Sequence, residues 1–417
     1  MGQGHRHRRE GPGQPEPQGR GEGSRRQGSR RRASQISILY EPKIRRNFSA
    51  LFLHYLMELW DMKAIGNAAQ RPAYLYIDIL RCIATYLVIA LHCISSYLAS
   101  SSLFGTPVWW VCNVVNSIVR MGVPIFFMVS GFLLLSDERV LDIPSFYTKR
   151  LKKVLIPFLC WDIIYFLENC YLQAQPPDLR QFLLELLAQR GSKYHLWFIY
   201  KIIAIYLLIP FLKKILDHCK LREQILLLLV VMLQPTIFPF INTVQSAVHI
   251  DFGSLIEGRI GFFILGYILG KYDFSSLQKR ILYLGGIAGF LLNVWGSFYY
   301  SSPQEMNLVF NDGCALTHFL TAGAFFLWVK EHCGTTGSST GVIPRLSKHI
   351  SELSYGIYLS HVLLLDCCIY FVRGLPNALG ASRSILVFFA GTALCSTLLV
   401  FLLSKSRGLR KLLVSGF

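Results

Sequence analysis

Three ionisable residues within one long apolar segment are the first candidates for chemistry. Asp78, Arg81 and His92 occur in YLYIDILRCIATYLVIALHCISSY, residues 74–97, which is long enough to cross a bilayer. Ionisable side chains are rare in hydrocarbon and usually face a protein interior or a water-filled cavity. Arg81 and His92 are about three helical turns apart, so a helix places them on one face about 16 Å apart along its axis. His92 could take a proton from a hydroxyl group, with a nearby positive charge stabilising an oxyanion.

These residues also have a structural interpretation. Asp78 lies one helical turn before Arg81, where an i, i+3 ion pair would offset the cost of burying the guanidinium group. A buried histidine such as His92 is often structural, so packing is an alternative to catalysis. The sequence contains no HExxH, GxSxG or Walker motif and no paired carboxylates. Metalloprotease, lipase-type hydrolase and ATP-driven transport chemistry therefore have no support.

A second polar stripe leads into the apolar stretch NVVNSIVRMGVPIFFMVSGFLLL, residues 113–135. Its members at helical spacings of three and four are Asn113, Asn116 and Arg120. Polar side chains in an apolar helix need interaction partners on a neighbouring helix, and the polar residues of the first apolar segment could supply them. Ser130 and Gly131 would let another helix or a ligand approach closely, with helix packing as the alternative. Gly122 and Pro124 indicate either a broken helix or an interfacial helix that runs into a span.

Two further histidines occur in aromatic surroundings. His195 and Trp197 belong to YHLWF, which is typical of an aromatic belt at a membrane interface but also suits the binding of a hydroxylated acceptor. Tyr358 and His361 recur at helical spacing in a later apolar segment. His361 is a second intramembrane group that can titrate near neutral pH. For both histidines, structural and functional interpretations stay open.

A cluster of basic residues precedes the third apolar stretch, within FYTKRLKKVLIP. Its members are Lys149, Arg150, Lys152 and Lys153. The enrichment of Lys and Arg in cytoplasmic loops accounts for such a cluster. Closely spaced Lys and Arg also suit a phosphorylated ligand such as a nucleotide-bearing cofactor. The sequence leaves both interpretations open.

The elements that must position these residues are apolar helices. Of the 417 residues, 53% are hydrophobic and only 16% are charged, and the mean hydropathy is +0.41. This composition predicts an all-α polytopic membrane protein. Ten spans are predicted, at about 74–97, 108–136, 154–174, 195–216, 222–240, 254–272, 280–300, 313–331, 351–372 and 384–404. The eleven cysteines show no CxxC or metal-like spacing, so we expect neither a disulfide framework nor a metal site.

The net charge of +18 resides in the N-terminal tail and in the loops. Residues 1–72 form a basic tail that we expect to be disordered, and residues 1–34 of it are rich in Gly, Arg, Pro, Gln and Ser. Residues 47–61 would form an interfacial helix if translation begins at Met1 rather than near Met62. Because the charge accompanies a membrane topology, we expect no nucleic-acid partner.

The basic residues alternate between loops, and this alternation predicts the orientation. One set of alternate loops contains 19 Lys and Arg residues. The other set contains only Arg180, Arg190, Lys193, Arg373 and Arg383. Because cytoplasmic loops are enriched in Lys and Arg, ten spans place both termini in the cytoplasm, including the short basic tail 406–417. Arg81 then lies in the inner half of the first span and His92 lies towards the outer face.

Several of these segments together resemble the membrane-bound acyltransferase 3 family of bacterial O-acyltransferases. The first-span pattern of that family, Asp-x-x-Arg followed by Arg-x10-His, is matched by Asp78, Arg81 and His92. The resemblance continues in the same order through VPIFFMVSGFLLL, YHLWF, GFFILGYILG and ISELSYGIYLSH, and it covers residues 73–405. The NVVNSxxRxxVPIFFMVSG and YHLWF patterns are most similar to the branch that O-acetylates the enterobacterial common antigen.

The resemblance implies a reaction and a location. Acetyl-CoA or another short acyl-CoA would be the cytoplasmic donor, and a hydroxyl of an envelope polysaccharide or lipid-linked glycan would be the acceptor. His92 would activate that hydroxyl or relay the acyl group, and Arg81 would position or stabilise charge. Lys149 and Arg150 would contact the phosphates of CoA. The expected location is the cytoplasmic membrane of a bacterium.

A transporter is the alternative from a different functional class. A secondary transporter or glycan flippase would use Asp78, Arg81 and His92 as a proton-coupled substrate path. The sequence has no evident internal repeat and no matched pair of Gly/Pro-interrupted helices, which are typical of such transporters. A non-catalytic membrane scaffold accords poorly with so many intramembrane polar residues.

Overall fold

Helix α1, Leu75–Leu98, occupies the first predicted span in the computed structural model and contains all three of its ionisable residues. The structure describes residues 74–189, 191–244, 250, 258–305, 309–310, 312–334, 341–372 and 380–415. The chain divides into two units, Met1–Asp61 and Met62–Phe417, and the described residues belong to the second. The predicted tail 1–72, with its helix at 47–61, lies outside the described residues.

The regular elements of the described residues are helices. After α1 they are α2 (Pro107–Val119), α3 (Gly122–Leu135), α4 (Ile143–Leu172), α5 (Leu179–Leu187), α6 (Trp197–His218), α7 (Leu221–Met232), α8 (Phe238–Val244), α9 (Arg259–Lys271), α10 (Ser276–Tyr299), α11 (Leu316–Cys333), α12 (Val342–Phe371), α13 (Ala381–Lys405) and α14 (Arg407–Leu409). The remaining regular elements are short 3-10 turns and two π-helical segments, Leu233–Ile237 and Arg410–Val414.

Eight stretches of the described residues are long and apolar enough to cross a membrane. They are Leu75–Leu98, Pro107–Leu135, Ile143–Leu172, Tyr194–His218, Leu221–Val244, Ser276–Tyr299, Val342–Phe371 and Arg383–Lys405. These stretches confirm the prediction of an all-helical protein with several membrane spans.

Two of the ten predicted spans are occupied by helices that do not meet this standard of length and composition. Helix α9 has 13 described residues and is therefore about 20 Å long, and every residue from Ile260 to Gly270 is buried. Helix α11 has 18 residues, of which half are buried. The predicted number of ten spans therefore remains a prediction.

The N-terminal ends of two helices differ from the predicted spans. Helix α4 begins at Ile143 rather than near residue 154, because Asp142 caps it and Pro144 fits its first turn. The carboxylate of Asp142 accepts a hydrogen bond from the backbone nitrogen of Ser145 over 3.4 Å. Helix α12 likewise begins at Val342 rather than near 351. The basic cluster before the third span therefore lies on a helix.

The second predicted span is a broken helix, which is one of the two alternatives that Gly122 and Pro124 indicated. Helix α2 ends at Val119 and α3 begins at Gly122. Pro124 lies in the first turn of α3, where a missing backbone N–H disrupts no helical hydrogen bond. Arg120 lies in the break itself.

Helices α3 and α9 approach each other unusually closely through glycines. A Cβ atom built on Gly131 would lie 2.2 Å from the carbonyl oxygen of Phe263, and one on Gly266 would lie 2.1 Å from that of Met128. Only residues without a side chain fit at these positions. Gly131 therefore serves the helix packing that the sequence suggested.

Helix α1 is central to the helical unit because it packs against α2, α3, α11, α12 and α13. Its buried apolar face includes Leu80, Ala84 and Val88. Packing of α12 along α1 brings the second half of the chain next to the predicted catalytic residues. The candidate site lies along this contact.

Candidate functional site

Three histidine rings that are distant in the sequence lie next to one another. The ring centroid of His361 on α12 is 5.2 Å from that of His92 on α1 and 5.1 Å from that of His195. His195 belongs to a 3-10 turn, Tyr194–Leu196, immediately before α6. His195 and His361 are buried, whereas His92 is partly exposed. We call these three residues the histidine cluster.

The hydrogen bond of His361 determines which of its ring nitrogens is available. Nδ1 lies 2.6 Å from the carbonyl oxygen of Tyr358, one turn earlier on α12. Because a carbonyl oxygen only accepts hydrogen bonds, Nδ1 carries the proton in this contact. The buried Nε2 atom has no hydrogen-bond partner among the described residues. A neutral His361 therefore has an unused lone pair on Nε2.

Tyrosine hydroxyl groups fix the backbone around the two buried histidines. The hydroxyl of Tyr358 donates to the carbonyl oxygen of His195. The hydroxyl of Tyr165 on α4 donates to the carbonyl oxygen of Leu359 over 2.7 Å. The ring centroids of Tyr165 and His195 are 5.2 Å apart. These contacts connect α4, α12 and the turn before α6, and so they hold the histidine cluster in place.

An ion-pair cluster adds a second connection between the same elements. Nζ of Lys193, two residues before His195, lies 3.2 Å from a carboxylate oxygen of Glu168 on α4 and 3.0 Å from one of Asp366 on α12. Burial lowers the pKa of Lys193, but the hydrogen bond and attraction of Asp366, together with Glu168, outweigh burial and raise it. The turn that carries His195 is thus held by a permanent positive charge.

His92 also borders a cavity of about 190 Å³. The lining residues are His92, Cys93, Ser96 and Tyr97 of α1, Leu365 and Ile369 of α12, and Phe388 of α13. None of these lining residues is an Asp, Glu, Lys or Arg. A ligand in this cavity would contact the His92 imidazole directly. We call this space the His92 cavity.

Arg120 brings a positive charge towards the histidine cluster from the break between α2 and α3. Its charge interacts electrostatically with His92, and its Nε atom donates to Oδ1 of Asn116 over 3.0 Å. Asn113, from the same polar stripe, donates to the carbonyl oxygen of Val294 on α10 over 2.9 Å. The stripe therefore interacts with α10 as well as with α1, whereas the sequence suggested α1 alone.

Arg81 borders a second cavity, of about 160 Å³. Its other lining residues are Ser130, Leu133, Leu134, Arg150, Lys153 and Tyr206. Asp78 and Tyr206 both interact electrostatically with Arg81, and the hydroxyl of Tyr206 shares a hydrogen bond with Ser130. Three cationic side chains make this lining positive, so it suits an anionic ligand. We call this space the Arg81 cavity.

A third cavity, of about 200 Å³, extends the basic lining towards the beginning of α4. Its lining residues are Asp137, Arg139, Val140, Ser145, Phe146, Lys149, Arg150 and Lys153. Arg150 and Lys153 border both basic cavities. Lys152 borders neither cavity, because on a helix it lies roughly 60° from Lys149, on the side away from Arg150 and Lys153. The structure thus brings together three of the four predicted phosphate-binding residues.

Some functional candidates were predicted and others were not. Tyr206 and Tyr165 resemble the many other aromatic residues in apolar segments, so the sequence carried no signal for them. Arg139 is one of the 19 loop Lys and Arg residues whose distribution predicted the orientation, and the sequence indicated no binding role for it. Trp197 packs against Arg259 of α9, whose guanidinium carbon is 4.7 Å from the Trp197 ring centroid.

The histidine cluster is suited to proton transfer. A partly exposed imidazole next to a cavity, backed by a buried imidazole, can accept a proton from a ligand hydroxyl. In the part of the chain that the structure describes, no group of three or more His, Cys, Asp or Glu side chains is placed to hold a metal ion.

Comparison with known proteins identifies a family for nearly the whole described unit. Residues 74–404 match the model of the acyltransferase 3 family, which is described as an acyltransferase domain. The matched range contains the histidine cluster and the lining of all three cavities. No curated protein and no solved structure matched the chain.

Proposed function

Because the chain belongs to the acyltransferase 3 family, we propose that it moves an acetyl or other short acyl group from acyl-CoA to a hydroxyl of a cell-envelope glycan. Family membership makes the protein an acyltransferase that acts in O-acyl transfer. Its apolar helices make it a multi-pass membrane protein. The donor, the acceptor and the roles of individual residues are our proposal.

Acyl-CoA is the donor that best fits the two basic cavities. CoA carries phosphate groups at one end and the acyl thioester at the other. Lys149, Arg150 and Lys153 offer charge-assisted hydrogen bonds to the phosphates in the cavity near the beginning of α4. The adjoining Arg81 cavity shares two of these residues and would receive the part of the donor nearer the thioester. Arg81 then positions the donor on α1.

His92 is assigned the acid–base step. Its imidazole takes the proton of the acceptor hydroxyl while the hydroxyl oxygen attacks the thioester carbonyl carbon. A carbon–oxygen bond forms, the carbon–sulfur bond breaks, and the CoA thiolate then takes the proton from the imidazolium. The charge of Arg120, which interacts with His92, stabilises the intermediate oxyanion. The enzyme returns to its starting protonation state without another reactant.

His361 is assigned a supporting part in this step. Its Nδ1 proton is engaged by the Tyr358 carbonyl, so the imidazole keeps one orientation and one tautomer beside His92. The two ring centroids are 5.2 Å apart, and we propose that the unpartnered Nε2 lone pair of His361 stabilises the positive charge that forms on His92. His195 and Tyr358 position this pair through the contacts around the turn before α6.

The separation of about 16 Å between Arg81 and His92 along α1 allows two routes for the acyl group. In one route the pantetheine arm of CoA extends from the Arg81 cavity to His92. In the other route the acyl group is first transferred to a protein side chain. Incubation with radiolabelled acetyl-CoA alone distinguishes them, because only the second route leaves label on protein after rapid denaturation.

The alternation of loop charges supports a donor site on the cytoplasmic side and a His92 cavity towards the outer face. Both termini are then cytoplasmic, and the membrane is the cytoplasmic membrane of a bacterium. Sequence patterns in α2, α3 and the turn before α6 favour the branch that O-acetylates the enterobacterial common antigen. These assignments extend the family membership to a location and a substrate class.

One observation carries the proposal: α1 presents Arg81 to a cationic cavity and His92 to a separate cavity whose lining contains no Asp, Glu, Lys or Arg. Two substrates of different chemistry would need such an arrangement. The test compares envelope polysaccharides from cells with the gene, without it and with His92→Ala. Loss of an O-acyl group in the last two, detected by NMR spectroscopy, supports the proposal, and unchanged O-acylation contradicts it.

A further inference from the structure

Helix α5, Leu179–Leu187, leaves three leucines of one face exposed. Leu179 is 71% exposed, Leu183 46% and Leu187 78%. A contiguous exposed apolar patch marks a surface that meets a protein or a membrane. We infer that α5 lies flat on the membrane and inserts this leucine face among the phospholipid head groups and the first segments of their acyl chains. The inference does not depend on the proposed reaction.

The side chains of α5 divide into an apolar face and a polar face. Leu179, Leu183 and Leu187 follow one another at intervals of four residues, so they lie within about 80° around the helix axis. Gln181 and Glu185 lie on the opposite side, where the amide of Gln181 donates to the carboxylate of Glu185 over 3.0 Å. A helix that lies in a membrane interface has this division, because one face meets lipid and the other meets water.

Phe182 faces the protein and fixes the level of α5 relative to α4. It is buried, and its ring centroid is 5.1 Å from that of Phe166. Phe166 lies six residues, or about 9 Å, before the end of α4 at Leu172. On α5, Phe182 lies between the leucine face and the polar face. The helix is therefore held beside the last turns of a membrane-crossing stretch, with its leucines turned one way and its polar pair the other.

The bilayer is the partner that accounts for this position. Helix α5 joins the end of α4 to the stretch that begins at Tyr194, so the chain returns to the same membrane surface. Its 9 residues extend only about 14 Å, which is too short to cross a hydrocarbon core of about 30 Å. The adjacent end of α4 exposes Leu167, Tyr171 and Leu172. The leucine face therefore continues an apolar surface that lipid covers.

The segment after α5 is tied to α4 before it reaches His195. The backbone nitrogen of Ser192 donates to Oδ1 of Asp162 over 2.7 Å. The amide of Asn169 donates to the carbonyl oxygen of Ser192, also over 2.7 Å. These bonds anchor the turn that carries His195 independently of the exposed face of α5. Substitutions on that face should therefore leave the histidine cluster in place.

Site-specific fluorescence of the full chain in lipid nanodiscs tests the inference. Acridonylalanine is placed either at Leu183, on the leucine face, or at Gln181, the matched control on the polar face; both positions are exposed. Phosphatidylcholine with a nitroxide at the fifth acyl carbon quenches the probe from the lipid, and iodide quenches it from water. Because the two positions lie on opposite sides of a helix about 10 Å across, the nitroxide lipid should quench Leu183 at least about twofold more than Gln181. Iodide should show the reverse order.

A probe at Leu187 provides a second variant of the leucine face in case the first is poorly folded, and it should behave like the probe at Leu183. Equal nitroxide quenching on the two faces, or stronger quenching at Gln181, would overturn the inference. Protection of the leucine face from both quenchers would overturn it as well, because protein, such as a second copy of the chain, would then cover that face.

Discussion

The imidazole rings of His92 and His361 lie 5.2 Å apart between centroids, with an angle of 30° between their planes. One ring borders a cavity and the other is buried behind it with its Nδ1 proton engaged by a backbone carbonyl. This relationship makes the contact between α1 and α12 the centre of the proposed reaction. It also leads to separate expectations for the two histidines.

Replacement of His361 should impair turnover without impairing donor binding. His361→Gln keeps much of the side-chain volume but removes the basic lone pair, and His361→Ala removes the ring. We expect kcat to fall about 10²- to 10⁴-fold, with KM for acyl-CoA unchanged because the donor binds elsewhere. Steady-state kinetics on reconstituted protein checks this. A merely structural role would instead lower the unfolding temperature and leave kcat of the folded His361→Gln protein near the wild-type value.

Replacement of basic residues on α4 should weaken donor binding selectively. Arg150 borders both basic cavities, so Arg150→Ala should raise KM for acyl-CoA about 10- to 100-fold through loss of a charge-assisted hydrogen bond. Lys153→Ala should act in the same direction. Increasing ionic strength should raise KM of the wild-type protein as well, because salt screens exposed charges.

Lys152→Ala is the matched control for this prediction, since Lys152 is exposed on the same helix and borders neither cavity. It removes the same charge from the same segment. Its KM should stay within about twofold of the wild-type value, as expected for a surface charge. An equal rise in KM for Lys152→Ala would show that the total charge of the segment, rather than the cavity lining, attracts the donor.

The glycine contact between α3 and α9 should be essential for stability. Gly131→Ala places a methyl group 2.2 Å from a carbonyl oxygen of Phe263, so the helices must separate, at a cost of about 1–3 kcal/mol or more. Gly285→Ala on α10 is the control, because its nearest neighbour is an ordinary 3.7 Å from the added carbon. The unfolding temperature in detergent should fall for the first variant only. An unchanged temperature for Gly131→Ala would contradict the close packing.

Several features could be predicted because they depend on local sequence. Hydropathy over windows of about 20 residues indicates where apolar helices lie. The helical repeat alone placed Arg81 and His92 on one face of a single helix. The break at Gly122 and Pro124 follows from the backbone preferences of these two residues.

Other features depend on contacts between distant segments, which no local pattern records. The convergence of His195 and His361 on His92 results from the packing of α12 and the turn before α6 around α1. Lys152 does not line the basic cavities although its three basic neighbours do. This difference arises because the helix begins at Ile143, before the apolar stretch, and so places the four residues at different angles around its axis. Short α5 was not predicted either, because its nine residues are too few for a clear membrane signal.

The most direct test of the central claim compares His92→Ala with His332→Ala in reconstituted membranes. His332 is an exposed histidine on α11 that lines none of the described cavities, so it controls for loss of an imidazole. The measurement is transfer of the radiolabelled acetyl group from acetyl-CoA to lipid-extractable and glycan acceptors of added envelope membranes. We predict that His92→Ala lowers transfer about 10²- to 10⁴-fold while His332→Ala retains it. Equal transfer by both folded variants would contradict the assignment of His92 as the acid–base group.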